Sequence, residues 1–200
     1  MLELPTDLPA DLAPLAWLIG VWEGTGVIDY PVGEERLQGE FTHRVSFSHD
    51  GGPFLNYSAA ATFLDEDGAA ATPLLAETGF WRLSRAATTA DAGPALLPPT
   101  TSAPARTVDD VEGLRAMSGG FPLEVSVAHA DGTLELYLGE INGPRIDIAS
   151  DAIVRSAGSK AHTASTRMYG LVDGHLLWAW DIAALGTPLR SHASARLAKI

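Results

Sequence analysis

From Phe41 to His49 the chain alternates without a break, with Phe41, His43, Val45, Phe47 and His49 at odd positions and Thr42, Arg44, Ser46 and Ser48 at even ones. A period of two belongs to a β-strand with one face on a core and the other in water, so the odd residues point inward. Further strand candidates lie at 21–30, 54–64, 74–83, 123–129, 133–139, 145–149, 152–156, 163–171, 176–184 and 192–199. Tight-turn signals separate most of them: Asp50-Gly51-Gly52, Asp65 to Gly68, Asp131-Gly132, Asn142-Gly143-Pro144 and Asp173-Gly174. Many short strands with no long helical period between them predict an all-β fold, an up-and-down antiparallel β-barrel of roughly ten strands. A β-sandwich is the alternative architecture.

Two segments stand outside this pattern. Residues 5–19 read as a short helix, with Asp7 or Asp11 as N-cap and Leu12, Leu15, Trp17 and Ile19 available to pack, suited to plugging one barrel end. Residues 84–120 are rich in Ala, Thr, Pro and Gly, with Pro98-Pro99 and Pro104 near their centre. Such a composition cannot make a ladder strand, and it predicts a flexible insertion with a helical turn at 108–117, lying over the barrel mouth or out in solvent. The whole chain, 1–200, reads as a single domain with no internal repeat.

Composition narrows the chemistry. With no cysteine among 200 residues, disulfides, thiolate metal sites and cysteine nucleophiles are excluded, leaving His, Asp and Glu as strong ligands. Lys and Arg number 13 against 25 Asp and Glu, a net charge of −12 that argues against a nucleic-acid partner. No apolar run approaches the roughly 20 residues of a membrane span, and the acidic N-terminus is unlike a secretory leader. The expectation is a soluble, cytoplasmic protein with no membrane partner; charge leaves a homodimer open.

The blocks Gly20-Val-Trp22-Glu-Gly24-Thr-Gly26, Tyr30-Pro31, Gly52 to Tyr57, Pro73 to Phe80, Ala128 to Gly132, then Lys160, Arg167 and Tyr169, and finally Pro188-Leu-Arg-Ser-His192, resemble the nitrobindins in the same order. The likeness covers nearly the whole chain except the 84–120 insertion. It implies a ten-stranded barrel related in shape to fatty-acid-binding proteins, holding haem b, with His192 as the proximal iron ligand and Lys160 near a haem propionate. By the same resemblance the protein holds ferric haem, binds nitric oxide and converts peroxynitrite to nitrate. Two positions depart from the family pattern: Leu75 stands where relatives place a distal histidine, and Val32 where threonine is common. Both are expected to make the distal pocket more apolar.

The residues themselves bear on this reading. Ligation through one histidine needs a neutral imidazole, an acceptor for its other ring N–H and apolar walls for the porphyrin. Strict alternation puts His192 with Ser194 and Arg196, opposite Ala193, Ala195 and Leu197, which argues against an inward imidazole. His43, His49 and His129 lie in phase with apolar neighbours and read as partly buried rings satisfied by backbone carbonyls, while His162 and His175 sit near turns and read as exposed. Trp22 is expected to pack over the barrel base, with Gly24 and Gly26 permitting close backbone approach. Trp178 and Trp180 share a face, in the core or on a cavity wall, and Glu77 reads as an inward carboxylate paired with Arg82 or Arg167. A carrier of a small apolar ligand and a barrel filled by its own side chains are the competing functions.

Overall fold

In the computed structural model, which describes residues 8–102 and 106–200, ten antiparallel strands close into one barrel. They are β1 (Gly20–Val32), β2 (Glu35–Ser48), β3 (Leu55–Leu64), β4 (Ala70–Leu83), β5 (Phe121–His129), β6 (Thr133–Asn142), β7 (Arg145–Arg155), β8 (His162–Val172), β9 (His175–Ala184) and β10 (Arg190–Lys199). Each strand pairs with its sequence neighbours and β1 closes the ring on β10, which leaves no strand edge open. The candidate runs 145–149 and 152–156 are one strand. A register shift opposite Leu136 and Tyr137 pairs Ser150 and Ala152 and skips Asp151, so the side-chain phase changes midway and a sequence pattern sees two strands.

Inward alternation builds the core. Phe41, His43, Val45 and Phe47 of β2 are all buried, as the period-two reading requires. At Gly24 a side-chain Cβ would lie 2.2 Å from the Arg196 carbonyl, and at Gly26 2.4 Å from that of Ser194. Both glycines are therefore needed for β10 to lie against β1 at this closeness.

One barrel end is plugged by a 3-10 helix, Ala10–Leu18, which buries Leu12, Leu15 and Leu18. Trp22 seals the same end, its indole Nε1 donating to the Leu18 carbonyl at 2.7 Å. The expected aspartate cap is not used: Pro9 occupies the N-cap position, Asp11 lies inside the first turn and pairs with Arg106 at 3.3 Å, and Asp7 falls outside the described residues.

The connection from β4 to β5 leaves from this plugged end, because the opposite ends of the same two strands carry Leu75 and His129. Its short helix α1 (Val108–Glu112) is capped reciprocally by Thr107 and Asp110 and buries Val111 against the 3-10 helix. The described part of 84–120 thus braces the plug rather than covering the opposite mouth.

Candidate functional site

At the far end the barrel opens into a cavity of about 560 Å³, walled by Phe41, Leu75, Trp178 and Trp180 and rimmed by Asp131 and Lys160 of the β5–β6 and β7–β8 turns. That volume and lining match those of small-molecule and cofactor sites. His192 and Ala193 both face this space. The alternation argument against His192 fails at one point: β10 pairs Ser191 with Asp181 and Ala193 with Trp180, consecutive residues on β9, so His192 is the extra residue of a β-bulge. The bulge turns His192 to the same side as Ala193, while Ser194 and Arg196 keep the outer face.

The His192 imidazole is held between two aromatic rings. Trp180 lies 5.5 Å from it at 74° and Tyr30 5.1 Å at 86°. Burial pushes its pKa down to about 4, with the nearby His162 acting in the same direction, so the ring is neutral at pH 7 and keeps a lone pair for a metal. Nδ1 is buried with no hydrogen-bond partner among the described residues, unlike the acceptor-bound nitrogen expected of a metal-binding histidine. Those residues contain no group of three or more His, Cys, Asp or Glu able to hold a bare ion. A porphyrin supplies four nitrogens of its own, so a single imidazole is the complement it requires.

Leu75 lines the cavity on β4, on the far side of the barrel from β10, and gives that part of the wall an aliphatic side chain with no hydrogen-bond donor. Val32 does not share that role. It is the last residue of β1, 40 % exposed beside the β1–β2 turn and not part of the cavity wall. Lys160 is exposed at the rim, where its ammonium can reach a charged group at the cavity mouth.

Beneath the cavity lies a buried charged cluster. Arg167 binds Glu77 through two bonds, Nη1 to Oε1 at 2.7 Å and Nη2 to Oε2 at 2.9 Å, and its Nε donates to the Tyr137 hydroxyl at 3.0 Å. Tyr57 donates to Glu77, and Glu135 accepts from Tyr137 and Ser165, each at 2.7 Å. Burial alone would raise both carboxyl pKa values; Arg167 chiefly for Glu77, and the His129 hydrogen bond followed by Arg167 for Glu135, hold them below the ordinary value. Arg82, the other partner considered for Glu77, points outward to Glu124.

The remaining histidines divide by position. His43 is buried and its Nδ1 meets the Ala60 carbonyl at 3.2 Å, the backbone partner expected of it; burial lowers its pKa to about 4. His129 meets no carbonyl. Its ring lies between two carboxylates, Nε2 2.7 Å from Glu135 and Nδ1 3.3 Å from Glu77. His162 is half-buried on the cavity wall rather than exposed. His49 accepts from the Gly51 amide at 3.3 Å, and His175 lies 2.9 Å from the Asp173 carbonyl, both near turns.

A closed antiparallel barrel, plugged at one end and opening at the other into an apolar cavity with a neutral imidazole, defines a small-ligand-binding β-barrel. Residues 11–199 match the model of the THAP4-like, heme-binding beta-barrel domain, and the chain belongs to that family. It is 60 % identical over 199 residues to a peroxynitrite isomerase of Leifsonia xyli subsp. xyli, covering all of this chain and 99 % of the relative. It is 55 % identical to a peroxynitrite isomerase of Clavibacter michiganensis subsp. michiganensis over the full length of both. The crystal structure of Rv2717c from M. tuberculosis shares the fold with a TM-score of 0.66 at 25 % identity, covering 99 % of each chain. Family membership and the full-length relatives together support haem binding and peroxynitrite isomerisation as the main functional reading.

Proposed function

We propose that the protein holds haem b, in the ferric state, through His192, converts peroxynitrite to nitrate and binds nitric oxide. The observation that carries this reading is the neutral imidazole of His192, turned by a β-bulge onto the wall of a largely apolar cavity of about 560 Å³. Bound haem would supply a Lewis-acidic iron able to polarise peroxynitrite, and His192 is the residue that would hold it.

The chain's own residues bind, orient and exclude water. His192 would hold the iron through its lone pair, and burial favours the neutral imidazole that this requires. Leu75, Phe41 and Trp178 wall the cavity with carbon and keep water away from the ligand face. The position of Lys160 at the cavity rim supports its reading as the partner of a haem propionate. Leu75 offers no proton at its place on the wall, and an isomerisation with no net proton change would need none there.

Stopped-flow decay of peroxynitrite with haemin-loaded protein, with nitrate and nitrite measured as products, tests the activity. Accelerated decay with nitrate as the dominant product is the expected result. Decay no faster than with free haemin contradicts the assignment.

A further inference from the structure

We propose that Trp180 is a positioning residue for His192, its indole setting the angle of the imidazole in place of a hydrogen-bond acceptor. The inference rests on His192 as the haem ligand and adds how that ligand is aimed. A metal-binding histidine ordinarily gives its second ring N–H to a carboxylate, carbonyl or water, and that bond fixes the ring. Nδ1 of His192 has no such partner among the described residues. The β-bulge also leaves the residue without a register partner on β9.

What remains to orient the ring is aromatic contact. Trp180 and Tyr30 meet it at 74° and 86°, the edge-to-face geometry that ring quadrupoles favour. Both are anchored independently of His192. The Tyr30 hydroxyl accepts from the Ala184 amide at 3.1 Å and donates to the Ala184 carbonyl at 3.2 Å, fastening it to β9.

Trp180 is fixed through its faces, since its Nε1 is buried with no acceptor among the described residues. The Arg167 guanidinium sits 4.2 Å over the indole, and the His129 ring lies nearly parallel to it, 6.1 Å away at 13°. Arg167 and His129 are in turn held by Glu77 and Glu135. The buried charged cluster thus reaches the imidazole through a single indole. In a barrel whose ligand histidine lacks an acceptor, this gives the cluster a functional task besides filling the interior.

The test combines ring NMR of the haem-free protein with haemin titration, for wild type, Trp180→Leu and Trp180→Phe, each checked for an intact β-sheet circular-dichroism spectrum. Wild type should show one sharp set of His192 ring signals. Trp180→Leu should broaden or split them and weaken haemin binding roughly two- to tenfold, the size of one aromatic pair. Trp180→Phe, which keeps a ring edge, should restore most of both. Should Trp180→Leu not fold, Trp180→Met takes its place, with the same changes expected. Unaltered His192 signals and wild-type haemin affinity in a folded variant with no ring at position 180 overturn the proposal. The haem reading fails separately, if His192→Ala binds haemin as wild type does, and the NMR of the haem-free protein still reports whether Trp180 orients the ring.

Discussion

Glu77 and Arg167 face each other across the barrel interior, joined by two parallel bonds of 2.7 and 2.9 Å, with both side chains withdrawn from water. Removing one charge leaves the other buried without compensation, which typically costs about 3–5 kcal/mol. Glu77→Gln should therefore lower the melting temperature by roughly 10 °C for a domain of this size. Replacing both partners, as in Glu77→Leu with Arg167→Met, should recover a large part of the loss. Thermal melts of the single and double variants measure this coupling.

Stability should fall with acid in two overlapping windows. His43 and His192 titrate near 4 when folded, against 6.5 unfolded, so between those values the unfolded chain binds more protons and stability declines as pH drops. For His43 the full decline is about 3 kcal/mol. Glu77 and Glu135 have depressed values, so their contribution is present above the unfolded carboxylate range and is lost as pH falls through the folded values. Urea unfolding from pH 7 to 4 should show the decline, and His43→Gln should reduce its slope by about 1.4 kcal/mol per pH unit in the histidine window.

At the seam of the barrel, Gly24→Ala should destabilise by about 1–3 kcal/mol, because the added methyl meets the Arg196 carbonyl and neither strand can withdraw without breaking the β1–β10 ladder. Gly143→Ala is the useful contrast. Its Cβ would meet nothing within 4 Å, so only the strain of its φ of +56° is felt. Denaturant midpoints of the two variants separate steric closure from backbone strain.

Alternation, turn chemistry and the glycine-tryptophan block made the barrel legible, because each depends on neighbours in sequence. The site was only half legible. Leu75 and Lys160 fall on the cavity, but His192 reads as outward by parity, since a bulge is a pairing between strands that no single strand records. His162 reads as a turn residue and proves to be cavity wall for the same reason, standing at a register irregularity between β8 and β9. His129 reads as a carbonyl-bonded core histidine; its carboxylate partners come from the neighbouring strands β4 and β6 and reach it only when those strands pair in register.

Leu75→His should restore a proton-bearing group facing the cavity. In the haemin-loaded protein it should shift the Soret and visible bands and slow nitric oxide release, read by absorbance and stopped-flow displacement. An unchanged spectrum would place residue 75 away from the ligand face.

The central claim is that His192 binds haem iron, and a haemin titration of wild-type protein against His192→Ala, followed by absorbance, tests it most directly. A sharp Soret band at one haemin per chain that the substitution abolishes is the expected result. Equal titration curves and spectra for the two proteins would contradict it, and would leave the cavity as a carrier site for apolar ligands.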